Sequence, residues 1–336
     1  MTPISDGHTD VADLGATARL ARHIHYEIVP MTSIEQAISD LPERALVSVT
    51  CSPTAGIEVT QRHTERLAAD GFTVPPHIAA RLVRDADHAR ELADWARSLA
   101  LGEVFVIAGD APTPLGPYEG ALGFMRDFLS AGPGVARLGI AGYPDGHALI
   151  DDALMASQLA AKQALLDECG VDGWVSTQMC FDPDAIVSWV DTMRAAGLHL
   201  PVRLGVPGVV DRTRLVKVGV RTGVGASLRF LTKNASAVAH LVAPGGYDPV
   251  EIIDEVSPHA ARLDIESLHA FTFNAVADTV DWHRRITADH RAAGSPPTTA
   301  PPERPTVYGR PSPRLSVCGG TPRADGENRR TTTNSR

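Results

Sequence analysis

Short apolar runs alternate with helical patterns eight times along this chain, and that rhythm leaves few folds open. The runs lie at Ile24–Met31, Ala45–Cys51, Thr73–Val83, Val104–Ala108, Leu138–Ala141, Gly173–Thr177, Val202–Val206 and Leu268–Phe273. Helical patterns follow each of them, the clearest at Ala86–Leu101, His147–Glu168, Pro183–Ala196 and Ala277–His290. Apolar strands separated by helices indicate parallel βαβ units. Eight such units predict a single (β/α)8 barrel, a TIM barrel, over residues 21–291. An open doubly wound sheet is the alternative, but no GxGxxG follows the first run. Residues 1–20 read as a flexible N-terminus. From Gly294 to Arg336 the chain holds eight prolines and little that can be buried. Residues 292–336 therefore read as a disordered tail rich in Pro, Thr and Arg.

In such a barrel, chemistry sits where the strands end. Glu27 lies within the first run, in Tyr26-Glu27-Ile28-Val29-Pro30. A carboxylate buried there without a partner is costly, and burial favours its protonated form, which can donate a proton. A rim salt bridge is the plainer reading. Gly109-Asp110 ends the fourth run. The glycine permits close approach of a flat ligand, and the aspartate can face a developing cation or simply cap the next segment. Gln178 ends the sixth run, where its amide edge complements a ring lactam or aminopyrimidine. Tyr143 and His147 leave the fifth run in a Gly- and Pro-rich turn. His77 follows Pro75-Pro76 in the third. His23 and His25, two apart on the first strand, have the spacing of metal ligands on one face. No lysine stands at a strand end to complete such a centre, so no metal is expected.

Taken in order, these motifs resemble the methylenetetrahydrofolate reductase family over residues 24–283. The family's F-E-F-x-P, R-G-D, A-x-Y-P-E-x-H and T-Q-x-x-F-D correspond to Tyr26–Pro30, Ala108–Asp110, Ala141–His147 and Thr177–Asp182. Its P-I-x-x-G-I-x-P and H-F-Y-T-x-N correspond to Pro201–Gly208 and His269–Asn274. The resemblance implies reduction of 5,10-methylenetetrahydrofolate to 5-methyltetrahydrofolate by NADH or NADPH, in one-carbon and methionine metabolism. It implies Glu27 as general acid and Asp110 facing the cationic intermediate. It implies Gln178 and Phe230 against the folate, and His77, Gly109, Tyr143 and His147 around a cofactor. FAD is the cofactor expected from the family. This chain departs from the pattern where the flavin diphosphate would be held. Ala108 replaces an arginine, and Leu165-Leu166-Asp167-Glu168 stands where basic residues belong. Arginine is favoured at diphosphates for its fork of donors. Two readings follow, a weakly flavinylated enzyme or direct hydride transfer from NADH to folate, and the second is the expectation. Alternatives from other classes are a non-catalytic folate- or flavin-binding barrel, and another barrel lyase or hydrolase.

Composition narrows the partners. The net charge of −9 argues against non-specific nucleic-acid binding. Four scattered cysteines without a CxxC pair fit a reducing compartment. Without a basic-then-apolar leader or an 18-residue apolar run, the expectation is a cytoplasmic protein without a membrane partner.

Overall fold

The computed structural model describes residues 15–147, 150–210 and 248–288. Eight strands are present: β1 (Ile24–Ile28), β2 (Leu46–Val49), β3 (His77–Ala79), β4 (Glu103–Ile107), β5 (Arg137–Gly142), β6 (Asp172–Thr177), β7 (Val202–Pro207) and β8 (Ile265–Phe271). Every pairing between them is parallel, in the order β2-β1-β8-β7-β6-β5-β4-β3. The ring is completed by a parallel bridge between Leu46 and Thr73, just ahead of β3, where Val47 N–H donates to the Thr73 carbonyl at 2.9 Å. This is a (β/α)8 barrel, as the alternation predicts.

Ten α-helices lie among the described residues: α1 (Ala16–Ala21), α2 (Ile34–Ser39), α3 (Ile57–Ala69), α4 (Ala86–Ser98), α5 (Ala121–Ser130), α6 (Asp152–Cys169), α7 (Pro183–Ala195), α8 (Val250–Val256), α9 (Ala260–Leu263) and α10 (Val276–Ala288). Their starts follow local chemistry. Asp85, Asp151 and Asp182 each accept a hydrogen bond from a first-turn amide of α4, α6 and α7. Pro183 then occupies the first helical position of α7, where its missing N–H costs nothing.

Three boundaries differ from the sequence reading. Ala16–Ala21 is helical, although it falls within the stretch read as flexible; Ala18, Leu20 and Ala21 are buried. The third run yields only His77–Ala79 as strand, because Pro75 and Pro76 lack the N–H groups a ladder needs. Helix α6 starts at Asp152 rather than His147, since Asp151 supplies the cap. The segments 211–247, which holds Phe230, and 292–336 lie outside the described residues.

Side chains fill the barrel. Trp174 on β6 lies against Phe105, and Gly139 between them is small by necessity: a Cβ there would lie 2.3 Å from the Trp174 ring. Below, four charged residues converge from β4, β5, β7 and β8. Arg203 donates to Glu266 at 2.9 Å and to Glu103 at 2.9 and 3.0 Å, and Arg137 joins the same two carboxylates. A register shift between β7 and β8 falls beside Glu266, the kind of irregularity that re-aims a side chain. The Arg203 guanidinium also stands 3.8 Å from the Trp174 ring centroid. This network closes the strand-start end of the barrel and leaves the strand ends for other work.

Candidate active site

Two groups of residues occupy the strand-end half of the barrel. The first is inside. Glu27 is only 6% exposed, and His77 and His269 are 4% and 3% exposed. Glu27 Oε2 hydrogen-bonds His269 Nε2 at 3.0 Å and lies 3.7 Å from His77 Nε2. Three strands, β1, β3 and β8, thus deliver one carboxyl and two imidazoles to one point. Aromatic rings hold the imidazoles in place. His77 meets Phe105 edge-on at 4.6 Å between centroids, and His269 meets Phe271 at 5.0 Å. Burial holds the His77 ring well below its ordinary value, at about 4, against a smaller opposing pull from Glu27. At neutral pH His77 is therefore uncharged.

The end of β8 also clamps the backbone of β1. Thr272 Oγ1 donates to the Glu27 carbonyl at 2.6 Å. Asn274 Oδ1 accepts from Val29 N–H at 2.8 Å, and its Nδ2 donates to the Val29 carbonyl at 2.9 Å. His269, Thr272 and Asn274 therefore fix Glu27 by side chain and backbone together. The sequence reading quoted these residues without giving them this task. The signal was their spacing at the end of the last strand, which gains meaning only once β8 pairs with β1.

The second group surrounds the exits of β4, β5 and β6. Gly109 has φ +88°, and a Cβ there would lie 2.7 Å from the Ala79 Cβ. Packing against β3 and a left-handed backbone already require this glycine, without a flat ligand. Asp110 is exposed. Burial, and secondarily the Asp110 carboxylate, raise the Tyr143 phenol above its ordinary range. Tyr143 meets His147 edge-on at 5.4 Å. The turn carrying them is tied to the β6 exit by Cys180 Sγ, which donates to Asp145 Oδ1 at 3.0 Å. Gln178 N–H donates to the Gly142 carbonyl at 2.7 Å, while its Oε1 accepts from the next amide, Met179 N–H, at 2.8 Å. The acceptor end of its amide edge is thus engaged locally. Asp182, in the same motif, caps α7. Among the described residues, the partners of Glu27 are the two histidines and not Asp110 or Gln178. His23 is exposed while His25 is buried, so the two do not act as a pair.

Beside this second group, a cavity of about 340 Å3 lies outside the sheet, between α6 and α7. Tyr143 and Pro144 form its mouth, and Met155, Leu159, Trp189 and Met193 much of its wall.

The chain is 29% identical over 143 residues to methylenetetrahydrofolate reductase 1 of Schizosaccharomyces pombe, covering 41% of this chain and 22% of that protein. It is 27% identical over 117 residues to methylenetetrahydrofolate reductase 2 of Saccharomyces cerevisiae, covering 33% and 19%. Over those stretches the chain is similar to methylenetetrahydrofolate reductases, from which it has diverged widely. It spans about a fifth of the length of the curated relatives it matches. No family model matches. A solved structure shares the fold at a TM-score of 0.51 and 13% identity, over 83% of this chain and 98% of the other. That structure is an uncharacterized protein from Clostridium thermocellum that binds two copies of 5-methyl-5,6,7,8-tetrahydrofolic acid. Among the described residues, no helix is long and apolar enough to cross a membrane.

Proposed function

We propose that this reductase-like barrel reduces 5,10-methylenetetrahydrofolate to 5-methyltetrahydrofolate, taking hydride from NADH or NADPH. One observation supports the reading: Glu27, the residue that the resemblance makes the acid, is buried at the strand-end half of the barrel and hydrogen-bonded to His269. Protonation of a ring nitrogen of the folate by Glu27 breaks its bond to the bridging carbon. The resulting iminium accepts hydride at that carbon, and the dinucleotide leaves oxidised. In this reading Asp110, after β4, faces the cation, and Gln178, after β6, orients the pterin.

Flavin fits this chain poorly. The residues lining the cavity between α6 and α7 include one charged side chain, Asp152, and no cation. The first-turn amides of Ala153 and Leu154 are already taken by the Asp151 carboxylate, which closes the anion site a helix start would otherwise offer. At the other end of α6, Leu166 is buried in the core, and Asp167 and Glu168 are exposed acids near the strand starts, away from the rim. We therefore favour direct transfer from the nicotinamide to the folate.

The test is the full chain assayed for NADH oxidation with methylenetetrahydrofolate, with and without added FAD, in the presence of a metal chelator. Glu27→Gln should lower turnover by about 10²–10⁴, the usual worth of a positioned acid, while folate binding persists. Turnover unchanged in that variant removes Glu27 from the mechanism. Stoichiometric flavin in the purified protein, or strict dependence on added FAD, overturns direct transfer.

A further inference from the structure

The interior group has a capacity that proton donation does not use. His77 Nε2 is buried and has no hydrogen-bond partner, an arrangement that is costly when nothing answers it. It points at Glu27 Oε2, which His269 Nε2 also faces, and the three ligand atoms all lie within 4.8 Å of one another. We infer that Glu27, His77 and His269 form a binding site for a zinc-class divalent transition-metal ion.

Two imidazole nitrogens and one carboxylate oxygen are a donor set such ions favour, with a fourth position left for water. Bonds of about 2.0–2.2 Å in a tetrahedral set place ligand atoms roughly 3.3–3.5 Å apart. The contacts of 3.0 and 3.7 Å to Glu27 bracket that range, so small side-chain shifts complete the site. Metal ligands must be unprotonated. The three ligands stand on three strands of one sheet, with Phe105 and Phe271 against the rings. Little ordering therefore remains to be done on binding. Hard cations such as Mg²⁺ and Ca²⁺ prefer all-oxygen shells and fit this set poorly.

The site does not depend on the reductase reading. Where that reading also holds, the ion takes the oxygen that must carry the proton, and metal and turnover exclude each other.

The experiment titrates Co²⁺, then Zn²⁺ in competition, into the chelator-treated full chain. Wild type should take up one ion per chain at micromolar concentration, with the intense visible bands of four-coordinate Co²⁺ and a raised melting temperature. Glu27→Gln and His77→Gln should each weaken binding by at least about tenfold, a loss that even outer-shell partners of a metal can cause. No uptake by wild type at millimolar Co²⁺ overturns the inference. So does the weak spectrum of a six-coordinate ion, or equal affinity in both variants. Circular dichroism checks that the variants are folded, and the wild-type spectrum decides the question if they are not. Reductase activity is read separately, on the chelator-treated chain: a chain that binds metal but shows no turnover when metal-free ends the reductase proposal alone, and an active chain without metal uptake ends this one alone.

Discussion

Replacing Gly109 by alanine distinguishes a residue kept small for a ligand from one kept small by the fold. The backbone there has φ +88°, and an added Cβ lies 2.7 Å from the Ala79 Cβ, on a residue with no exposure. Two costs follow. A left-handed backbone strains an L-residue by about 1–2 kcal/mol. Two methyl carbons at that separation are roughly an ångström closer than their preferred contact, and overpacking of this kind costs about 1–3 kcal/mol. Gly109→Ala should therefore destabilise the folded chain by roughly 2–5 kcal/mol.

The two costs separate in a double-mutant cycle. Ala79→Gly removes the opposing methyl, and the next atom, the Ala79 Cα, is 3.5 Å away, an ordinary contact. Alone, that change costs about 0.5–1 kcal/mol in strand backbone entropy. Combined with Gly109→Ala, it should recover the overpacking and leave the strain, a coupling of about 1–3 kcal/mol. Urea denaturation of the four proteins, monitored by tryptophan fluorescence, measures it. A Gly109→Ala stability within about 0.5 kcal/mol of wild type, the scatter of ordinary surface changes, refutes the packing account. So does strict additivity of the two substitutions.

Other outcomes follow from the same physics. Arg203→Met leaves Glu103 and Glu266 to share Arg137 alone, and removal of one partner from a buried ionic group should cost about 3–5 kcal/mol in urea midpoint experiments; a loss under about 1 kcal/mol would show that the network relaxes freely. His283 Nε2 faces the Ala21 carbonyl at 2.8 Å and its Nδ1 faces the Tyr26 hydroxyl at 2.9 Å, so the neutral ring donates through Nε2 and accepts at Nδ1. Burial, chiefly, holds its pKa below the ordinary 6.5. The unfolded chain then takes up this proton first, so the contribution is present above about pH 6.5 and lost on acidification. His283→Gln should flatten the fall in stability between pH 7 and 5, and an unchanged slope would remove His283 from the cause.

The eight strands were legible because each is a buried apolar run bounded by turn residues, and burial on both sides leaves little else for such a run to be. Where the reading slipped, a local rule beat the periodicity: Pro75-Pro76 trimmed the third strand, and the Asp151 cap moved the start of α6 to Asp152. Glu27 was conspicuous because a carboxyl in an apolar run carries an energetic cost that has to be met somewhere. What meets it was hidden. His269 is 242 residues away in sequence, and only the pairing of His25 with His269 and of Glu27 with Phe271 brings β8 beside it. His77 arrives from β3, which pairs with β4 and is no ladder neighbour of β1. A side chain's cost is thus visible along the chain, whereas its partners become visible only when the barrel closes. That asymmetry explains why Glu27 stood out as a single residue and its grouping with His77 and His269 did not. It also explains Gly109, whose size looked like provision for a ligand until β3 was seen to pack against it. Glu27 now has two chemically exclusive uses, as proton donor and as metal ligand, and the same two imidazoles govern both. One set of variants at positions 27, 77 and 269 therefore reads acid chemistry and metal affinity in the same protein, and the two can be ranked directly.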